Sequence, residues 1–295
     1  MEIHSARTPI KLIRAGHLGM CFGVRDAIAL AVEHGDEKPL TILGDLVHNP
    51  AVLADLRGRG IAVAAGLDEV RTKAVMITAH GTSERTLART RALGLDVVEA
   101  TCPLVHVAHR AIKALLRDGY HPVIIGQRQH VEVRGITDDL AEFDVVLTED
   151  DVRQLTPRPR LGIAAQTTQP IERVRHLVAL IRKQCPDSQV KFLDTVCQPT
   201  KQRQSAAVEL ARASDVVIVV GGAASNNTRE LVQTCLQHCA RVHHIQTAAD
   251  LDAAWLAHAG TVGLTAGTST PDAIIDAVEQ RIRALTAEAE RVSAR

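Results

Sequence analysis

Three cysteines occupy equivalent places along the chain, in GMCFGVRDAI (Cys21), EATCPLVHVA (Cys102) and DTVCQPTKQR (Cys197). Each follows a short extended run and opens a helical pattern, and the three are spaced at close to a third of the 295 residues. One thiol per repeat predicts three thiolates converging on a common axis. Three thiolates suit an iron–sulfur cluster that leaves one iron without a protein ligand and open to substrate. Cys185, Cys235 and Cys239 lack that position and read as small core residues. The pair Cys235 and Cys239, one helical turn apart beside His238, carries only a weak zinc pattern.

Polar loops recur in the same register. After the second strand-like run of each third come DLVHNP with His48, QRQHVEV with His130 and GGAASNNT with Ser225. After the fourth come AHGTS with His80, AQTTQP with Thr167 and AGTSTPD with Ser269. Taken singly these are ordinary: a lone histidine is usually packed or solvated, and a Ser or Thr after a strand usually caps a helix. Taken together they are donors at helix N-termini, which hold phosphate oxygens well. Histidines become charged donors when an anion raises their pKa. A phosphate or diphosphate guest is expected. Glu132, two residues after His130, is the one carboxylate attached to the polar core of these loops, and so the candidate proton donor. Its competing role is that of a solvated surface residue. No GxxxxGK[ST] is present, and no strand is followed by GxGxxG, which argues against a Walker-type triphosphatase and a dinucleotide enzyme.

The elements that must position these residues also come in threes. Strand-like runs fall at 11–15, 40–44, 61–64 and 74–78; at 96–100, 122–126, 144–148 and 160–165; and at 190–194, 215–220, 241–245 and 261–266. Most are short, β-branched and continuously apolar, as strands of a parallel sheet covered on both faces are. FGVRDAIALAVEHG, VHVAHRAIKALLRDG and KQRQSAAVELARA supply helices between strands, so βαβ units with right-handed crossovers are expected. The fold class is α/β: three pseudo-repeated α/β/α modules around a central iron–sulfur cluster. The modules are read at 1–95, 96–189 and 190–271, with the segment 272–295 packing on the first. Parallel sheets bind ligands at the carboxyl ends of their strands, so both sets of loops should face one pocket with the cysteines at its floor.

Composition narrows the function. Lys+Arg and Asp+Glu are both 34, aromatic residues are 2%, and hydrophobic residues are 46%. Zero net charge removes any bulk attraction to nucleic acid or a membrane surface, and so few aromatics cannot build single-strand stacking platforms. MEIHSARTPI has no apolar h-region, and no run approaches the roughly 18 apolar residues of a membrane span. A cytoplasmic protein with reduced thiols is expected.

The residues quoted resemble the LytB family of 4-hydroxy-3-methylbut-2-enyl diphosphate reductases. The resemblance covers nearly the whole chain through CFGVRDAI, LVHNP, AHG, ATCPLV, HVEVRG, AQTT, DTVC…RQ, SNN and TAGTSTPD, in that order. It implies a three-lobed α/β fold and one [4Fe–4S] cluster per chain on Cys21, Cys102 and Cys197. It implies diphosphate contacts at His48, His80, His130, Ser225, Asn226, Asn227 and Ser269, a catalytic Glu132, and an active-site Thr167 that also meets substrate. The implied activity is two-electron removal of the allylic hydroxyl of a small diphosphate, fed by an electron donor such as ferredoxin or flavodoxin, with isopentenyl and dimethylallyl diphosphate as products.

This chain departs from the family pattern at HVEV, AQTT, SNN, Gly126-Gln127, the GGAA before SNN, and QPTKQRQ. These changes open the question of an altered substrate. Competing readings are a Lewis-acid dehydratase of quinolinate-synthase type, a cluster-based redox sensor and a three-cysteine zinc protein. The first needs an arginine carboxylate clamp and the second a partner or nucleic-acid surface, neither of which the sequence displays. Structural zinc sites usually use CxxC pairs.

Overall fold

The computed structural model describes residues 10–293. The opening stretch through residue 9, read above for a leader, and the last two residues of the 272–295 segment lie outside the described residues. The chain runs β1 (Lys11–Arg14), α1 (Phe22–Glu37), β2 (Leu40–Leu43), α2 (Pro50–Gly58), β3 (Ala62–Ala64), β4 (Ala74–Ile77), α3 (Glu84–Ala92) and β5 (Asp96–Glu99). It continues with α4 (Pro103–Arg117), β6 (His121–Ile125), α5 (Val131–Thr137), β7 (Asp144–Val146), α6 (Glu149–Arg153), β8 (Arg160–Ala165), α7 (Ile171–Gln184) and β9 (Gln189–Phe192). It ends with α8 (Gln198–Arg212), β10 (Val216–Val220), α9 (Asn226–Leu236), β11 (Val242–Ile245), β12 (Thr261–Ala266) and α10 (Asp272–Ser293). Among the described residues no helix is long and apolar enough to cross a membrane.

The strands form three four-stranded sheets, ordered β3-β2-β4-β5, β7-β6-β8-β9 and β1-β12-β10-β11, and every pairing is parallel. This is the threefold α/β architecture expected, with one difference. The strand leading into each cysteine does not open its own set. It closes the sheet of the preceding set, and the N-terminal β1 joins the last. The reason is local: β4, α3 and β5 make one short crossover, which lays a strand parallel beside its predecessor. The three strands before the cysteines are therefore edge strands, half-buried or exposed at every residue except Val98, whereas the central β4 and β10 are buried at every residue.

Two compact units can be distinguished: Phe22–Lys201, and one assembled from the chain ending at Cys21 together with the chain from Gln202. The first holds two sheets. In its second sheet, Val123, Ile125, Leu161 and Ile163 face Val174, Leu177, Val178 and Ile181 of α7. The other face carries Ala108, Ile112 and Leu115 of α4 and Val133 and Ile136 of α5 against Ile124 and Ala164. These alternations follow the two-residue period of a strand. In the unit made by the chain's two ends, α10 packs Ile275, Val278, Ile282 and Leu285 on Val216, Ile218, Val262 and Leu264, with Ile10 and Leu12 alongside. The C-terminal helix thus lies on the sheet that the N-terminal strand enters.

Helix α4 shows how a cysteine is anchored. Pro103 takes its first turn, where a missing N–H costs nothing. Val105, Ala108, Ile112 and Leu115 form its buried stripe. Leu115 is fully buried and its neighbour Leu116 is 39% exposed. Leu115→Ala should destabilise the protein by about 2–5 kcal/mol and Leu116→Ala by less than about 0.5 kcal/mol, read from denaturant unfolding.

Candidate functional site

Within the unit Phe22–Lys201, the loops at the carboxyl ends of β2, β4 and β6 bring His48, His80 and His130 together. The rings of His48 and His80 stack with centroids 4.3 Å apart, and His130 stands edge-on to both at 5.4 and 5.6 Å. Ring nitrogens of all three lie within 4.8 Å of one another. Each ring is set by a helix start. Asn49 accepts from Ala51 N and Val52 N at the head of α2. Ser83 caps α3 through Thr86 N. His130 itself caps α5, its Nδ1 accepting from Glu132 N at 3.2 Å. A ring that accepts at Nδ1 carries its neutral-state proton on Nε2, which leaves Nε2 as a donor.

All three histidines are half-buried, and His80 is the one whose environment is most constrained by its surroundings. Its Nδ1 is buried with no hydrogen-bond partner. Burial, then the neighbouring His48 and His130, hold its pKa well below the usual histidine range. The His80 ring is therefore held neutral until something arrives between the three. Three converging imidazoles can hold a metal ion or donate to an anion. A cleft of about 500 Å³, lined in part by His48, Thr78, Arg89 and Arg134, gives access to His48.

Glu132 is not a surface residue. It is 2% exposed, and its two oxygens accept from Thr167 N at 2.7 Å and Thr167 Oγ1 at 3.0 Å. Burial raises its pKa to about 7, and the two bonds from Thr167 pull the other way without cancelling that rise. A carboxyl poised near neutrality in the helix that His130 caps can deliver a proton at physiological pH. Thr167 sits in the loop after β8. There the buried Gln166 accepts from Gln127 N and Gln169 Nε2 through one oxygen, and Thr195 clasps Ala165 from both sides. Gln166 and Thr195 were not singled out in sequence, although Gln166 lies inside the AQTT motif.

The cysteines fall into two classes. Cys21, Cys102 and Cys197 are half-buried, outside any disulfide and at helix starts; Cys185, Cys235 and Cys239 are buried. Burial drives the Cys235 thiol up to about 12, with Cys239 adding to it, and burial also raises Cys185. These are inert packing residues. The sulfur of Cys102 makes no cap bond to α4. A Cβ on Gly23 would stand 2.5 Å from it, so glycine alone leaves room for that sulfur. Cys197 Sγ lies 3.0 Å from Thr200 Oγ1. Thiols with glycine clearance fit a thiolate-bound cluster.

In the other unit, β10 and β12 are neighbours, and the loops at their carboxyl ends carry Ser225, Asn226, Asn227 and Ser269, all buried. Ser225 caps α9 by accepting from Thr228 N. Asn227 Oδ1 accepts from Thr268 N at 3.0 Å, and its Nδ2 is buried without a partner. Cys21 N donates to Thr268 O at 3.2 Å.

A family model described as LytB protein matches residues 12–283. The 4-hydroxy-3-methylbut-2-enyl diphosphate reductase of Pelobacter propionicus is 38% identical over 275 residues, covering 92% of this chain and 98% of that protein. The reductase of Aquifex aeolicus is 36% identical over 280 residues, covering 93% and 96%. A solved structure of (E)-4-hydroxy-3-methyl-but-2-enyl diphosphate reductase, the terminal enzyme of the non-mevalonate pathway, aligns with TM-score 0.68 at 35% identity over 93% of this chain and 99% of that one. The reductase from Plasmodium falciparum aligns with TM-score 0.87 at 26% identity over 95% and 89%.

Removing the Thr167 hydroxyl deletes a bond that favours the ionised carboxylate. Thr167→Val should therefore raise the pKa of Glu132 above about 7, as read by NMR titration of the protein labelled at glutamate carboxyls.

Proposed function

The chain belongs to the LytB family, and we propose that it reduces 4-hydroxy-3-methylbut-2-enyl diphosphate to isopentenyl and dimethylallyl diphosphate. The observation that carries this reading is the buried Glu132–Thr167 pair, with its near-neutral acid two residues from His130. The allylic C–O bond breaks, two electrons enter from an external one-electron carrier of ferredoxin or flavodoxin type, one proton leaves with the hydroxyl as water, and a second reaches carbon. Cys21, Cys102 and Cys197 are the proposed ligands of one [4Fe–4S] cluster per chain. When bound, that group supplies single electrons and a Lewis-acidic iron for the allylic oxygen.

The chain's own residues do the rest. His48, His80 and His130 donate to diphosphate oxygens, and the arriving anion favours their protonated forms. Ser225, Asn226, Asn227 and Ser269 add hydroxyl and amide donors. Remote binding of the diphosphate positions the carbon chain. Glu132 holds the proton destined for the departing oxygen, and Thr167, bonded to it through both its amide and its hydroxyl, orients the carboxyl and relays to substrate. The departures from the family pattern touch supports more than chemistry: Ala165 packs in a sheet core, and Gln127 uses its backbone N–H on Gln166. The reduced thiols this chemistry needs fit a cytoplasmic setting.

The convergence of the three imidazoles favours one second reading, a metal ion held at that cluster. Inorganic diphosphate that binds equally well with and without a chelator supports the anion reading; binding that requires added zinc supports the metal.

Anaerobically reconstituted protein should hold about four iron and four sulfide per chain. Cys21→Ser, Cys102→Ser and Cys197→Ser should each lose that loading, while Cys185→Ser, Cys235→Ser and Cys239→Ser keep it. Full loading of Cys102→Ser would remove the three-thiolate assignment. His48→Asn should weaken inorganic diphosphate binding roughly 10- to 150-fold with the cluster retained, as calorimetry would read.

Glu132→Gln should lower kcat by roughly 10²- to 10⁴-fold, the usual worth of a general acid. In the parent enzyme the acid form is needed, so kcat/KM should fall as pH rises through about 7. That limb should be absent in Glu132→Gln. Near-parental turnover of Glu132→Gln with excess reductant would assign the proton to another group.

A further inference from the structure

We infer that Asn227 is a positioning residue that couples diphosphate binding to the Cys21 loop through Thr268. The inference rests on the proposed roles of Cys21 and the diphosphate. The geometry lies wholly in the unit formed by the two ends of the chain. Asn227 Oδ1 accepts from Thr268 N at 3.0 Å. The carbonyl of the same residue, Thr268, accepts from Cys21 N at 3.2 Å. The other half of the Asn227 amide, Nδ2, is buried with no partner. Which end of the amide faces Thr268 is settled, because only the oxygen can accept from its N–H. One side chain thus carries an unsatisfied donor and an acceptor bonded to the peptide that holds the cysteine.

The rest of the Cys21 loop is tied on both sides. Gly19 N donates to Ala266 O at 3.2 Å. Arg203, 6% exposed, donates to the Gly19 carbonyl from Nε at 3.1 Å and Nη2 at 2.5 Å. The loop holding Thr268 is equally constrained. Gly267 N donates to Val220 O, as does Thr270 Oγ1. A Cβ on Gly267 would stand 2.1 Å from Thr228 Oγ1 on α9. With its surroundings fixed, the adjustable member of the chain is the Asn227 side chain. A phosphate oxygen on Nδ2 restricts its rotamers to the one that keeps Oδ1 on Thr268. The Thr268 peptide and the Cys21 amide are then held more firmly. Coupling of this kind is reciprocal: a Cys21 immobilised by its ligated group strengthens diphosphate binding in turn.

Two measurements on the full chain test this. The first is hydrogen exchange by mass spectrometry over residues 19–22 of the cluster-loaded protein. Inorganic diphosphate should slow exchange there severalfold. Asn227→Ala, without ligand, should exchange roughly 5- to 10-fold faster, the worth of one buried hydrogen bond. Asn227→Asp, which keeps the acceptor and loses the donor, should return to the parental ligand-free rate and show no response to diphosphate. The second is the ratio of diphosphate Kd in cluster-free and cluster-loaded protein. Parental protein should bind about 5-fold or more tightly when loaded, at the low end of common coupling strengths, and the ratio should approach one in Asn227→Ala. Unchanged exchange in Asn227→Ala, exchange in Asn227→Asp as fast as in Asn227→Ala, or a parental Kd ratio in Asn227→Ala would each overturn the coupling. Failure of the parental protein to take up a cluster or to bind diphosphate would count against the proposed function instead. Exchange in ligand-free Asn227→Ala and Asn227→Asp would still decide whether Asn227 holds the Cys21 loop.

Discussion

One backbone hydrogen bond, made three times, organises the functional residues. Cys102 N donates to Ala79 O, Cys197 N to Thr167 O, and Cys21 N to Thr268 O, at 3.1, 3.0 and 3.2 Å. In each case the acceptor lies in the loop after the sheet's adjacent strand: β4, β8 or β12. Each acceptor is joined directly to a residue of the proposed substrate site. Ala79 precedes His80, Thr167 binds Glu132, and Thr268 is bonded to Asn227 and precedes Ser269. A cysteine placed in this way cannot shift without moving a substrate-side loop. The repeat seen in sequence is, physically, this bond and the parallel pairing that continues it.

That pairing explains what could and could not be read from the chain. Short apolar runs, helix patterns and their alternation were legible because periodicity reports burial along one element. Partnership between elements was not. The run at 96–100 looks like the first strand of a new set, yet β5 pairs with β4. Hydrophobic pattern is silent on which edge a strand joins. The short crossover through α3 decides it, and it puts the cysteine at the exit of an edge strand, with the loop of the adjacent strand within hydrogen-bonding reach. The expectation that 272–295 packs on the first module met the same limit: an amphipathic helix shows an apolar face, and its target sheet is set by where β1 pairs.

The site was legible as residue types and not as environments. His48, His80 and His130 stood out by register, and the structure brings them together. The lowered pKa of His80 could not be read, since it comes from burial and from the neighbouring His48 and His130. Glu132 carried two readings in sequence, proton donor or solvated surface residue. Its burial against Thr167 removes the second. Arg203 and Thr268 lie inside the quoted motifs DTVC…RQ and TAGTSTPD without their roles being legible, because one reaches a carbonyl far along the chain and the other acts through its peptide group. Residues whose work is done by the main chain are invisible to any reading based on side-chain chemistry.

On the proposed function, a buried acid beside the three histidines also orders the chemistry in time. Without ligand, Glu132 titrates near neutrality, so a sizeable fraction of it is ionised at physiological pH. A diphosphate bound among His48, His80 and His130 brings negative charge close to α5, and like charge disfavours ionisation of a neighbouring carboxyl. An anion bound there would therefore drive Glu132 toward its protonated form and favour protonation of the histidines around it. Both shifts have the same sign, so substrate arrival loads the site with protons. Burial alone would give an acid that is half charged when needed. Burial next to an anion site gives one that is filled by the substrate on which it acts.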